Sequence, residues 1–502
     1  MRLLILSTYE HTGGAAIAAS RLLHALRGQG VEVTMLCRSN IRAGWLRCLC
    51  PPLARALEKQ SWTSIAERAV IWACNGFTKK DLWATDIALF GQDITTTREY
   101  READAVLIHW VNQGFLSLST IEKIAQSGKR VVWTMHDEWP LEGVEHYTSP
   151  TPTPPLGEGE ITNASGEALS TSSIVPTSSA AHTSSTSPIV PNRPTNPINN
   201  LLTQWVLRRK AEIYRSGRIS FVTCSKWLKN ISEKKTLAEG QRIVSIPNPI
   251  DSCLFAPLTE EQRKEAAKTL GLPQGKRLVL FVAQRVDDER KGIRYLDEAV
   301  KILTETQGNP ENPAVPDSPE IPDSPDNQEI PAAPMGDIAV IAPGRDIPYI
   351  NNVEDMARLY ACVDVFVTPS LSDNLPNTIM EAMSCGTPCV GFDVGGIPEM
   401  IDHKENGYVA RYKDAQDLAE GIRYVIAKEN HARLSRAARN KVIRCYSEEA
   451  VASKYLTEIN REIGGVVPEK YRETKGFMPD TDRGKGGLGE TGNKEKSGRK
   501  EC

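Results

Sequence analysis

The chain has 502 residues, a formal net charge of −3, 25% charged and 40% hydrophobic residues. That length allows two or three domains with ordinary cores, and so balanced a charge excludes a molecule built around a nucleic-acid-binding field. The 11 cysteines are scattered without a C-x-x-C pair, which argues against a disulfide framework or a zinc site. Residues 1–8 (MRLLILST) turn polar too soon for a signal sequence and read as a first strand. No apolar run reaches transmembrane length, so a cytoplasmic location is expected.

Leu3 to Ser7 is a buried strand, residues 9–16 form a turn carrying Gly13 and Gly14, Ile17 to Gly28 is a helix, and Val31 to Cys37 is a second strand. This is the start of a doubly wound α/β domain, whose ligands bind at the carboxyl ends of strands. The two glycines let the backbone approach a ligand closely; a plain tight turn accounts for them equally well. The turn lacks G-x-G-x-x-G, so a dinucleotide is not indicated. Residues 41–74 read as helical, with Trp45, Trp62 and Trp72 among Arg42, Arg47, Arg55, Lys59 and Arg68. Such a face suits peripheral contact with an anionic membrane, or simply a solvated basic surface. The next two strands end in His109 and in His136-Asp137. Both histidines then share one carboxyl edge, where either could act as acid, base or hydrogen-bond donor to a sugar.

Residues 148–200 are Ser/Thr/Pro-rich and read as a disordered insertion. A helix from Leu201 to Ser216, a strand from Arg218, a helix from Lys226 to Leu237 and a strand entering a Pro-rich crossover complete a first domain, 1–250. A second α/β domain, 251–445, contains another insertion at 306–334 with the tandem VPDSP and IPDSP. After its first strand, a loop carries Arg285 and Lys291, a fork and a point charge suited to a diphosphate, or ordinary surface charge. Residues 363–368 are a buried strand. A polar loop follows with Asp373, Asn374 and Leu375, and Pro376 opens a helix bearing Asn377 and Glu381. The helix N-terminus favours a phosphate, and a carboxylate beside it can accept from a vicinal diol. A last helix, 446–465, packs back across the domains, and 466–502 is a disordered tail.

Taken in order, Gly13-Gly14, Ile-His109-Trp, Thr-Met-His136-Asp137-Glu-Trp, Ile-Pro-Asn248-Pro-Ile-Asp251, Arg285 with Lys291-Gly292, the run from Asn374 to Met383, and Gly395-Gly-Ile-Pro-Glu399 resemble the family-4 retaining glycosyltransferases of the GT-B fold. The most similar subgroup builds bacterial surface polysaccharides. The resemblance implies two Rossmann-like domains facing across a cleft. It also implies transfer of a sugar from a UDP or GDP donor to a glycan or lipid-linked acceptor, with retained configuration. It assigns His109, Asp373, Arg285 and Lys291 to catalysis, and Gly13, Gly14, Arg285, Lys291, Asp373, Asn374, Leu375, Asn377 and Glu381 to the donor. His136 and Asp137 fall on the acceptor side. No cofactor or metal is implied; the D-x-D of Asp480 and Asp482 lies in the tail. Two departures stand out. Asp373 replaces the usual glutamate of a pair eight positions apart, and Glu142-Gly-Val-Glu-His146 follows the His-Asp-x-Trp motif where subgroup members often carry cysteines. The alternatives are an epimerase or hydrolase on the same fold, or a nucleotide-sugar-binding homologue with impaired catalysis. Expected partners are the nucleotide sugar, the acceptor and an anionic membrane face, with no nucleic acid.

Overall fold

A computed structural model describes residues 1–40, 62–78, 82, 85–146, 197–283, 285, 288–305 and 338–461. The expected tail, nearly all of both expected insertions and the 41–61 part of the basic stretch lie outside the described residues. The last four positions of the first insertion do not: the helix read from Leu201 begins at Pro197 and runs to Ser216.

Two all-parallel sheets organise the chain. The first has the order β2-β1-β3-β4-β5-β6. Its strands are β1 Arg2–Ser7, β2 Glu32–Cys37, β3 Ala105–Ile108, β4 Arg130–Met135, β5 Ile219–Thr223 and β6 Arg242–Ser245. The second has the order β11-β10-β9-β7-β8, with β7 Arg277–Leu280, β8 Ile338–Ile341, β9 Val365–Thr368, β10 Cys389–Phe392 and β11 Gly407–Ala410. Helices cover the strands, so β3, β4, β5, β9 and β10 are buried along their whole length. That is why they read as unbroken apolar runs. This is the two-sheet α/β fold expected from the sequence.

Each order reverses once. The first sheet reverses between β1 and β3, the second between β7 and β9. At such a point the loops leaving the two strands part in opposite directions and open a crevice at the carboxyl edge. The residues after β1, β3, β7 and β9 are therefore the ones the topology offers to a ligand. The C-terminal helix Glu448–Asn460 returns to the first sheet. Val451, Ala452, Tyr455, Leu456 and Ile459 share a core with Leu3, Ile5, Leu22 and Leu26, each such burial being worth about 1.5–3 kcal/mol. Glu458 fixes the register, accepting from Arg242 Nε and Nη2 at 2.7 and 2.8 Å.

The helix Trp62–Cys74 corrects one reading. Trp62, Trp72 and the following Phe77 are exposed, but Arg68 is not part of a basic surface. It is buried and paired with Asp86.

Candidate active site

The first carboxyl edge is a buried polar network. His109, just past β3, and His136, just past β4, stack with centroids 5.3 Å apart, His109 Nδ1 lying 3.0 Å from His136 Nε2. Two imidazoles sharing one hydrogen bond in a dry setting hold it best when both are neutral. Burial pushes His109 well below its usual pKa, with His136 adding to the effect. Burial likewise lowers His136 to about 4, against the pull of Asp137. His109 Nε2 is buried without a hydrogen-bond partner among the described residues, so one polar atom of the pair remains available to a ligand.

Asp137 sits behind this pair. It accepts from Trp110 Nε1 at 3.0 Å, from the Trp139 backbone N–H at 3.1 Å and from His146 Nδ1 at 2.6 Å. His146 donates its other nitrogen to Asp86 Oδ2 at 2.7 Å. Burial alone would discharge His146, but Asp137 and then Asp86 raise it to about 10, so it is an imidazolium clamped between two carboxylates. Asp137 is correspondingly lowered: burial raises it, and His146 and its other donors outweigh that. Asp86 also receives Arg68. The fully buried Lys210 donates to the carbonyls of Trp139, Glu142 and Gly143 and so holds the loop that carries His146. Sequence reading placed His109, His136 and Asp137 together. It missed Asp86, Arg68 and Lys210, and treated His146 only as a departure from a motif; the nine-residue gap from Asp137 to His146 was the available signal.

The second carboxyl edge is built from loops. Lys291 ends a short turn after β7, and its Nζ lies 2.7 Å from Asp373 Oδ2 on the loop after β9. Arg285 is exposed on the same β7 loop. Gly292 takes φ 69°, and a Cβ there would meet the Pro369 carbonyl at 1.9 Å. Gly395 and Gly396 support the Asp373 loop from behind. Cβ atoms on them would lie 1.8 Å from the Asp373 carbonyl and 2.0 Å from that of Asn374, so the glycine pair is a close-approach requirement. The helix Asn377–Ser384 starts at Pro376 without a side-chain cap, which leaves its first N–H groups to an anion.

Three further sequence-derived donor residues have protein partners, and a fourth is buried. Glu381 accepts from Arg21 Nη2 at 2.6 Å and from Tyr360 Oη at 3.0 Å. Arg21 belongs to the helix α1, Gly14–Gly28, so this ion pair joins the two sheets. Asn377 donates to the Gly14 carbonyl at 3.2 Å and accepts from Asn248 at 3.2 Å. Asn374 accepts from Ser225 Oγ and donates to the His136 carbonyl at 3.2 Å. Leu375 is buried in the second core, so only its backbone could face a donor. Glu399 caps the Lys226–Ser232 helix from across the cleft, accepting from Lys226 N and Trp227 N at 2.8 and 2.6 Å. Gly14 thus faces the Asn377 helix start, whereas a Cβ on Gly13 would meet nothing within 4 Å. Arg21 and Tyr360 were missed; they lie 360 and 21 positions from Glu381, beyond any local pattern.

Residues 276–428 match the family model described as "Glycosyl transferases group 1". The N-acetyl-alpha-D-glucosaminyl L-malate synthase of Bacillus anthracis is 32% identical over 110 residues, 22% of this chain and 29% of that protein. The N,N'-diacetylbacillosaminyl-diphospho-undecaprenol alpha-1,3-N-acetylgalactosaminyltransferase of Campylobacter jejuni is 31% identical over 121 residues, 24% of this chain and 32% of its own length. The chain therefore spans about a third of the length of these curated relatives. The crystal structure of a glycosyltransferase from Rickettsia africae covers 93% of this chain and 99% of its own, with TM-score 0.52 and 14% identity; that likeness shows the shared fold.

Proposed function

We propose that this protein is a glycosyltransferase that moves a sugar from a nucleoside-diphosphate donor to a glycan or lipid-linked acceptor, with retention, in surface polysaccharide synthesis. The observation that carries the reading is the meeting, at two facing switch points, of Lys291–Asp373, Glu381 and an uncapped helix start with the Gly13-Gly14 turn and the histidine pair. The group 1 match over 276–428 and the glycosyltransferase names of the relatives support it.

In the proposed reaction the bond from the sugar C1 to the diphosphate oxygen breaks and a bond from C1 to the acceptor oxygen forms. The acceptor proton passes to the leaving phosphate. The chief demand is charge on the diphosphate, which Arg285, Lys291 and the Asn377 helix N-terminus would meet. We assign no resident metal or cofactor to the site. Glu381 would hold the ribose diol on the lone pairs that Arg21 and Tyr360 leave. Asp373, one methylene short of the family's glutamate, would face the hexose while tethering Lys291.

The same reading places the protein at the cytoplasmic membrane face. Among the described residues no helix is long and apolar enough to cross a membrane. Exposed Trp62, Trp72 and Phe77 follow directly on the sequence 41–61, which carries Arg42, Arg47, Arg55 and Lys59. Flotation with anionic vesicles checks this; failure to float would remove the membrane from the proposal.

The decisive assay incubates the protein with UDP- and GDP-sugars, with and without polyprenyl-diphosphate-linked acceptors, in EDTA and in its absence. Acceptor-dependent turnover that survives EDTA is expected. Epimerised or hydrolysed donor without acceptor would point to the alternative enzyme class, and nucleotide binding without any turnover to an impaired homologue.

A further inference from the structure

A group of side chains at the β1/β3 switch point is not used by the donor reading. Tyr9, leaving β1, and Trp110, leaving β3, are stacked, with ring centroids 6.2 Å apart and planes 19° from parallel. Each ring is locked at its polar end. Tyr9 Oη donates to Gln113 Oε1 at 2.7 Å, and Trp110 Nε1 to Asp137 Oδ2 at 3.0 Å. Neither is fully buried, so each keeps part of its surface accessible. Arg38, just past β2, places its guanidinium carbon 5.0 Å from the Tyr9 centroid and donates to the Gln113 carbonyl at 2.8 Å. No carboxylate among the described residues pairs with it.

These features ask for one kind of ligand. Flat aromatic rings complement the C–H face of a pyranose, and rings that are already fixed lose little freedom on binding. A half-buried guanidinium with no carboxylate beside it favours an anion with fork geometry, above all a phosphate. We propose that Tyr9, Trp110 and Arg38 form the acceptor subsite, which takes a pyranose stacked on the ring pair with its adjacent phosphate against Arg38. The subsite rests on the transferase reading and deepens it. It also connects the buried network to the acceptor, since the His146 imidazolium holds Asp137, and Asp137 holds the Trp110 indole at its angle. Asp137 and His146 are then positioning residues acting through Trp110.

Titration calorimetry on the full chain, with saturating UDP, or GDP where that is the nucleotide bound, to fill the donor side, tests the assignment. The probes are hexose 1-phosphates (glucose, galactose and N-acetylglucosamine), the corresponding free sugars, and inorganic phosphate. A polyprenyl-diphosphate-linked sugar in detergent is the last probe. At least one sugar phosphate is expected to bind tenfold or more tightly than either of its halves, and Tyr9→Leu and Arg38→Gln should each weaken that binding about tenfold. Tyr9→Phe, which keeps the ring, should retain most of it. Melting temperatures and UDP affinities should stay close to wild type, separating a lost subsite from a lost fold. Tighter binding of the polyprenyl probe than of the soluble ones would assign the phosphate to a lipid-linked acceptor; the reverse would assign it to a soluble sugar phosphate. Wild type that binds UDP but no sugar phosphate better than phosphate, or Tyr9→Leu that binds as wild type, would overturn the subsite alone. Absence of binding of both UDP and GDP would instead strike the transferase reading itself.

Discussion

The two carboxyl edges of this molecule solve different physical problems. The first is a buried network, His109–His136 and Asp86–His146–Asp137, in which burial and charge partners displace several pKa values from their ordinary ranges. The second is made of loops, with Lys291 and Asp373 partly exposed and braced by glycines. A buried ion costs stability unless its partners are fixed, so the first edge is rigid and part of the fold. A loop-borne ion pair is weak and can exchange its partner for a ligand. The first edge is therefore the fixed wall, and the second carries the charges that the proposed function gives to the donor.

The largest expected effect falls on the first edge. Asp137→Asn leaves the His146 imidazolium with one carboxylate in place of two. It should cost on the order of 3–5 kcal/mol of folding stability, read by urea denaturation. A loss below about 1 kcal/mol would show the clamp to be unimportant. On the second edge the effect should move from stability to binding. Gly395→Ala puts a Cβ into the Asp373 carbonyl at a φ of +61°. A strain of about 1–3 kcal/mol should displace the Asp373 loop and weaken nucleotide affinity about tenfold to a hundredfold. Unchanged affinity would mean the loop does not touch the nucleotide.

Stability against pH separates the edges again. His146 has its folded pKa raised to about 10, so its contribution is complete below the unfolded value near 6.5 and is lost as pH climbs through 10. His136 is depressed to about 4, so its contribution is present above about 6.5 and is lost as pH falls through 4. Melting temperature should therefore peak near neutrality. His146→Asn should flatten the alkaline limb and His136→Asn the acidic one; limbs unmoved by these variants would contradict the assignments. The smallest effect concerns Asp373→Glu, which restores the glutamate of the family that the sequence resembles. A gain of a few-fold in turnover would mean the shorter acid handicaps the enzyme; a loss would mean the sugar pocket is built around it.

Much of the fold was legible in the sequence because parallel strands buried on both faces leave continuous apolar runs. Those runs placed β1, β3, β4, β5, β7 and β9, and with them the strand ends where His109, His136, Lys291 and Asp373 lie. The strand β11 escaped, since Gly407–Ala410 is four residues with a glycine and a tyrosine and no periodicity to detect. Partners across the cleft escaped for a different reason. Arg21 meets Glu381, and Asp86 meets His146, only after the chain has folded. Arg68 looked like one more basic surface residue because a buried cation differs from an exposed one only in what surrounds it.

The central claim is that one cleft, walled by both sheets, holds a nucleoside diphosphate. Calorimetric titration of UDP and GDP into wild type, Lys291→Ala and Glu381→Gln tests it most directly. One of the two nucleotides should bind wild type, and each substitution should weaken it about tenfold or more; Lys291→Ala should leave the melting temperature little changed, whereas Glu381→Gln, which leaves the largely buried Arg21 unpaired, should lower it. Equal affinity in all three proteins, or no binding of either nucleotide to wild type, would contradict the account.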